Sequence, residues 1–261
     1  MARQWPSVAT TRQPLRIVSW NIRAGGGRRV ELIADQLRNW GADVVALSEF
    51  RATPPSEHLK ALLGGCGLGF QTTTADPGLP ASNRLLIASR WPFRVVRLRN
   101  APVEPGRWCL AEIAAPTPFA LGVMHVPNRV TGRKDAYHGA VLDIARSWRR
   151  GPALLVGDTN SGRISIDEEV PCFSKREDGW IAALEGVGWR DGFRHLRGDT
   201  RAYTWYSPNG RNGFRIDQAF VHRSLLRRLV DARYEWARSD QDDERRDAIS
   251  DHAAMVVDLE V

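Results

Sequence analysis

Several stretches of this chain end an apolar, β-branched run on a side chain able to do chemistry. Asn21 closes Ile17-Val18-Ser19-Trp20, Glu49 follows Val44-Val45-Ala46-Leu47 after one serine, and His125 closes Leu121-Gly122-Val123-Met124. Asp158 and Asn160 follow Leu154-Leu155-Val156-Gly157, and Asp251-His252 precede Ala253-Ala254-Met255-Val256-Val257. A strand end is where a rigid sheet can present a polar group to a shared cleft. A single Asp or Asn at such a place is an ordinary turn or cap residue; the recurrence is what points to a site.

Carboxylates without cysteine suit a hard divalent cation such as Mg²⁺ or Mn²⁺. Glu49 is the foremost ligand candidate, with Asp251 and the Asn21 amide oxygen beside it. The alternative for Glu49 is a carboxylate at the helix start before Pro54-Pro55. Histidines with acidic neighbours offer proton transfer near neutral pH. Asp217 interrupts an apolar strand pattern and is costly to bury alone. Either it orients His252 as a buried partner or it faces solvent.

The elements that must carry these residues can be read from period and punctuation. Residues 15–22, 43–47, 84–89, 93–98, 108–113, 119–125, 153–156, 203–206, 214–221 and 252–261 read as strands, and 84–125 as serial antiparallel neighbours. Helical stripes cover 30–40, 57–63, 134–148 and 180–184. Residues 1–14 form a loose lead-in, and 15–261 a single α+β domain of layered sheets.

The chain has 261 residues, a formal net charge of +7 and 43% hydrophobic residues, which excludes disordered and fibrous classes. No apolar run is long enough for a membrane span, and residues 1–16 hold no continuous apolar segment, so a secretory signal is not expected. Cys66, Cys109 and Cys172 are too few and too scattered for a disulfide framework or a cysteine-rich zinc site, which fits the cytoplasm. Lys60, Lys134 and Lys175 are the sole lysines; every other basic side chain counted in the charge is arginine. Guanidinium groups suit phosphate recognition, although codon bias alone gives the same preference. Arg84, Arg90, Arg94, Arg97 and Arg99, with Arg107, Arg211 and Arg215, read as a track for a polyanion or as a solvated basic face. Residues 240–247 read as an acidic, solvated loop.

Six strings together resemble the endonuclease/exonuclease/phosphatase superfamily: Ser19-Trp20-Asn21-Ile22, Leu47-Ser48-Glu49-Phe50-Arg51, His125-Val126-Pro127-Asn128, Gly157-Asp158-Thr159-Asn160, Arg215-Ile216-Asp217-Gln218 and Ser250-Asp251-His252. The resemblance implies a four-layered α/β sandwich, with two mixed sheets face to face between helices, and metal-dependent phosphoester cleavage. It assigns Glu49 to the metal with Asn21 and Asp251 close by, Asp158 to the attacking water, and Asn160 and His252 to the phosphate, with Asp217 aligning His252. His125 stands where some members have a general-acid histidine and others a tyrosine, so acid and phosphate-positioning roles both stand. Trp205 resembles an aromatic of the abasic-sugar pocket, or packs in the core. Asn128, Arg84 and Arg215 complete the expected substrate contacts. Ser48 and Arg51 depart from the Gln and Lys of the repair enzymes, which leaves the metal site intact and puts abasic-site specificity in doubt.

The expected function is a divalent-metal-dependent phosphodiesterase, a monomeric DNA endonuclease or exonuclease. The alternative is hydrolysis of a small phosphodiester, phospholipid or phosphorylated sugar at the same site. A binding module that has kept only the fold would have lost the Asp, Asn or His positions, and all are present.

Overall fold

The run Leu15–Asn21 is apolar on both faces because it becomes a central strand, covered by helices on one side and a second sheet on the other. The computed structural model describes residues 13–104, 106–237 and 249–261; the expected acidic loop at 240–247 and most of the lead-in lie outside them. In chain order the first elements are β1 (Leu15–Asn21), α1 (Val30–Asn39), β2 (Val44–Phe50), α2 (Pro54–Gly65), β3 (Phe70–Thr73), β4 (Arg84–Ser89) and β5 (Phe93–Val95). Then come β6 (Trp108–Ile113), β7 (Phe119–His125), α3 (Lys134–Ser147), β8 (Ala153–Asp158), α4 (Lys175–Gly186), β9 (Trp189–Asp191) and α5 (Gly192–Arg197). The last are β10 (Trp205–Tyr206), β11 (Gly213–Phe214), β12 (Asp217–His222), β13 (Leu229–Glu235) and β14 (Ala254–Leu259).

Two six-stranded mixed sheets result, ordered β13-β14-β1-β2-β4-β3 and β5-β6-β7-β8-β12-β9. Ile17, Ala46, Leu121, Val156 and Val257 fill the layer between them. The outer face of the first sheet is covered by α1 and α2 through Ile33, Leu37 and Leu59, and that of the second by α3 and α4 through Val141, Ile144 and Ile181. This is the expected four-layered sandwich.

Each sheet holds one parallel pair near its middle, β1 with β2 and β7 with β8. The partners on their far sides, β14 and β12, run antiparallel. The C-terminal ends of the parallel strands and the N-terminal starts of β14 and β12 therefore meet at one edge of the sandwich.

The structure corrects some expected boundaries. Of the serial strands, β5, β6 and β7 are antiparallel neighbours, but β4 joins the other sheet between β2 and β3. The strand expected over 214–221 breaks at Arg215 and Ile216. There the Arg215 N–H turns to the Asp167 carbonyl (2.8 Å), and Thr204 Oγ1 accepts the N–H groups of Ile216 (3.0 Å) and Asp217 (3.2 Å). Sequence reading passed over β3, β9, α5 and β13; β3 and β13 are edge strands whose polar, half-exposed residues carry no core-facing pattern.

Helix α4 begins on a capping box, Ser174 with Glu177, and Glu177 also binds the buried ammonium of Lys134 (2.6 Å). Burial pushes the Glu177 carboxyl up, but Lys134 and Ser174 outweigh it and hold it at about 2. A depressed carboxyl stabilises the fold above its ordinary titration range and loses that contribution as pH falls through the folded value. Urea midpoints measured between pH 5 and pH 2 should therefore fall more steeply for the wild type than for Glu177→Gln.

Candidate active site

Asp158 is the residue around which the edge is built. It ends β8, is buried, and lies opposite His125 of β7 and Asp217 of β12 in the sheet register. Its Oδ2 accepts a hydrogen bond from Asn21 Nδ2 (3.0 Å), which comes from the other sheet, and its Oδ1 accepts the Asn160 N–H (2.9 Å). Gly157 makes the approach possible: its φ is +141°, and a Cβ there would lie 1.8 Å from the Met124 carbonyl oxygen. Burial and the nearby Asp217 charge raise the Asp158 pKa, against the opposing pull of His252 and His125.

His252 stands just before β14. Its Nδ1 meets Asp217 Oδ2 at 2.9 Å, both side chains being buried. Burial works against the imidazolium, yet Asp217, Asp158 and Asp251 raise its pKa to about 10. The backbone is tied to β1 through Trp20 Nε1 to the His252 carbonyl (2.9 Å) and Ser250 Oγ to the Asn21 carbonyl (2.6 Å). His125 behaves oppositely: burial, with Arg107 and His252, outweighs Asp158 and lowers its pKa to about 4. Its Nε2 lies 3.7 Å from Asp158 Oδ2, and its buried Nδ1 has no hydrogen-bond partner among the described residues. At neutral pH the edge thus holds one charged and one neutral imidazole.

Glu49 sits at the tip of β2 with φ +61°, at a register shift against β4. Residues 23–27 all have positive φ and wrap this tip, the Ala24 N–H bonding Glu49 Oε2 (2.7 Å) and the Gly25 N–H its carbonyl (2.7 Å). Such concentrated backbone strain marks places where structure serves function. Asp251 is half-buried, and both it and Glu49 act electrostatically on the Arg29 guanidinium, which binds the carbonyls of Ile22, Arg23 and Ile249. The Asn21 amide oxygen accepts the Arg23 N–H (3.0 Å).

Among the described residues, Asp158, Asp217 and His252 each bring one metal-binding atom within 4.8 Å of the others. That tight group is internally paired, since Asp217 holds His252 as an imidazolium, and a metal ligand must give up its proton. Glu49 is half-exposed, and its carboxylate, with the Asp251 carboxylate and the Asn21 amide oxygen, would present an oxygen set that fits a hard divalent ion.

Comparisons with known proteins give the family and the fold. The profile described as Endonuclease/Exonuclease/phosphatase family matches residues 18–252. The chain belongs to that family. An exodeoxyribonuclease of Streptococcus pneumoniae is 22% identical over 95% of this chain and 100% of its own length. Solved structures of similar fold include an AP endonuclease from Archaeoglobus fulgidus (19% identity) and a 3'-5' exonuclease from Neisseria meningitidis (21% identity). A 3' phosphatase from Neisseria bound to a product DNA hairpin is 20% identical. Each of the three has a TM-score of 0.78 and covers 95% of this chain and 100% of its own. The family is one of phosphoric ester hydrolases, and its sandwich is the fold seen here.

Within this family member the expected substrate contacts divide. Trp205 bridges to His252, their ring centres 6.3 Å apart, and is only half-buried, so it stands at the site. Arg84 is half-buried at the same edge, opposite Phe50. Asn128 is exposed on the turn after β7, and Asn160 directs its amide nitrogen to the Val126 carbonyl (2.9 Å).

Arg215 is not at the surface where a substrate contact was expected. It is fully buried and paired with Asp167 (2.6 Å) and Asp191 (2.6 Å), and Arg194 closes the group on Asp167. Its Nη1 also donates to Tyr234 Oη (3.0 Å), whose hydroxyl donates to the Asp217 carbonyl (2.7 Å), so Arg215 underpins the Asp217 backbone. Arg215→Ala leaves two buried carboxylates short of a cation. It should cost about 3–5 kcal/mol in urea unfolding, read separately from any change in DNA affinity. The track of arginines also divides: Arg90 pairs with Asp43 and Arg94 with Glu112 at the opposite edge.

Sequence reading missed Lys134, whose ammonium binds the Asn160 carbonyl and Glu177 at the rim of the site. A lysine in so arginine-rich a chain was the available signal. It also missed Arg29 and Tyr234, which nothing in the local pattern distinguishes from surface residues.

Proposed function

We propose that this chain is a divalent-metal-dependent nuclease that hydrolyses phosphodiester bonds in DNA, acting as one domain over residues 15–261. The observation that carries the reading is the Asp158 carboxylate, shared between Asn21 of the other sheet and the backbone N–H of Asn160 just past β8, and set beside the Asp217–His252 pair. Asp158 orients the attacking water and takes its proton as the water oxygen bonds to phosphorus. The His252 imidazolium and the Asn160 amide receive the charge that builds on the non-bridging oxygens. As the bond to the leaving oxygen breaks, that oxygen leaves as a stabilised anion or takes a proton from the site.

A Mg²⁺ or Mn²⁺ ion held by Glu49, with Asp251 and Asn21 nearby, would supply further charge neutralisation. His125, neutral at physiological pH, fits the positioning of phosphate better than acid catalysis. Trp205 against His252 offers a flat face to a sugar or base.

DNA is favoured over a small phosphoester because the similar proteins are named an AP endonuclease, an exodeoxyribonuclease, a 3'-5' exonuclease and a phosphatase bound to a DNA hairpin. The cytoplasm and a monomeric state rest on the sequence alone. Among the described residues no helix is long and apolar enough to cross a membrane.

The test is a labelled duplex, with and without an abasic site, incubated with Mg²⁺ and with EDTA. Cleavage is expected with Mg²⁺ alone. Intact DNA throughout, with bis-p-nitrophenyl phosphate turned over, would transfer the site to small phosphoesters.

A further inference from the structure

The segments around Glu49 and Asp251 are tied together by a cation of the chain itself. Arg29 ends the short turn 27–29 that leads straight into α1 at Val30, so its backbone is anchored to a helix. From there its guanidinium reaches back over the end of β1. Its Nη2 donates to the Arg23 carbonyl (2.6 Å) and the Ile22 carbonyl (3.3 Å), and its Nη1 donates to the carbonyl of Ile249, 220 residues further along the chain.

Each tethered carbonyl belongs to a segment that holds a candidate ligand. Arg23 opens the left-handed run whose next two N–H groups, those of Ala24 and Gly25, bind the Glu49 carboxylate and the Glu49 carbonyl. Ile249 stands two residues before Asp251, and Ser250 between them is fixed to the Asn21 carbonyl (2.6 Å). Burial and the Arg23 charge lower the Arg29 pKa while the Asp251 and Glu49 charges raise it, so both carboxylates lie within electrostatic reach of the one guanidinium. A planar guanidinium presents its donors in a fixed fork, whereas an ammonium of equal charge is a compact point on a flexible stem.

We propose that Arg29 is a positioning residue for the divalent ion: by clamping the carbonyls of Ile22, Arg23 and Ile249, it holds the Glu49 and Asp251 segments in their ligating arrangement before the ion arrives. This role rests on the metal site proposed above. The alternative is that Arg29 only neutralises the two carboxylates, standing in for the ion and therefore competing with it. The two roles differ in sign. Removing a competitor strengthens metal binding, whereas removing a clamp behind the ligands weakens it.

The test uses the full chain stripped with EDTA, as wild type, Arg29→Lys, Arg29→Met and Glu49→Gln. Mn²⁺ affinity is read from the electron paramagnetic resonance of the free ion, and hydrogen exchange is followed in the metal-free proteins. Arg29 is half-buried at the edge and belongs to none of the hydrophobic cores, so its replacement leaves the sandwich folded. Arg29→Lys keeps the charge and gives up the fork. It should bind Mn²⁺ about tenfold more weakly than the wild type, at the lower end of what a partner behind metal ligands is worth. Arg29→Met should also bind more weakly than the wild type. In both variants the Ala24 and Gly25 amides should exchange faster without metal, while those of β7 and β8 stay as protected as before.

Mn²⁺ affinity in Arg29→Lys within about twofold of the wild type, tighter binding by Arg29→Met, or unchanged exchange at Ala24 and Gly25 would overturn the clamp and leave the metal site standing. A wild type that binds no Mn²⁺, or Glu49→Gln binding it as well as the wild type, overturns the site and the clamp together.

Discussion

Asp158→Asn is expected to lower Mg²⁺-dependent DNA hydrolysis by about 10³–10⁴-fold while leaving the protein as stable as the wild type or more so. The size follows from removing the one carboxylate placed to take a proton from water, a role worth about 10²–10⁴ by itself, together with its hold on Asn21 and Asn160. Stability moves the other way because the Asp158 carboxylate is buried beside Asp217, which burial and like charge both disfavour. An amide of the same shape relieves that repulsion. Single-turnover cleavage and a urea melt on one preparation check both halves. A variant that cleaves at more than a tenth of the wild-type rate removes Asp158 from the chemistry.

His252→Gln should also cost about 10²–10³ in rate, the scale set by loss of a donor to developing phosphate charge, and here stability should fall as well. Asp217 would remain buried without its cation, at a cost of about 3–5 kcal/mol. The pH dependence separates this from simple damage to the fold. A histidine raised to about 10 contributes stability in full below its ordinary titration near 6.5, and loses it as pH rises through the folded value. Wild-type urea midpoints should therefore decline between pH 7 and pH 10.5, with the His252→Gln profile flatter over that window. Asp217→Asn should flatten the profile too, since it removes the group that holds the proton.

The layers of the sandwich were legible because central strands advertise themselves. β1, β2, β7, β8 and β14 are apolar on both faces; β1, β7 and β8 end on Asn21, His125 and Asp158, Glu49 stands one residue before the end of β2, and His252 just precedes β14. The Asp217–His252 pair was legible for a related reason: a carboxylate inside an apolar strand needs a buried partner, and a histidine at another strand tip is the simplest one. Arg215 misled because a sequence shows the charge but not its neighbours. Asp167 and Asp191 lie 48 and 24 residues away in the chain, and the fold alone places them against the guanidinium. The clasp of residues 23–27 around Glu49 was half visible: Gly25-Gly26-Gly27 marks a break, while the left-handed course of Arg23 and Ala24 accompanies their N–H bonds to the Asn21 and Glu49 side chains.

Anomalous scattering from Mn²⁺-soaked crystals separates a metal held by Glu49 from one held by the Asp158–Asp217–His252 group. A metal on Glu49 is expected, with a peak about 2.1 Å from its carboxylate oxygen and with Asp217 and His252 still paired. A peak confined to Asp158, Asp217 and His252, with Glu49 unoccupied at saturating Mn²⁺, would contradict it.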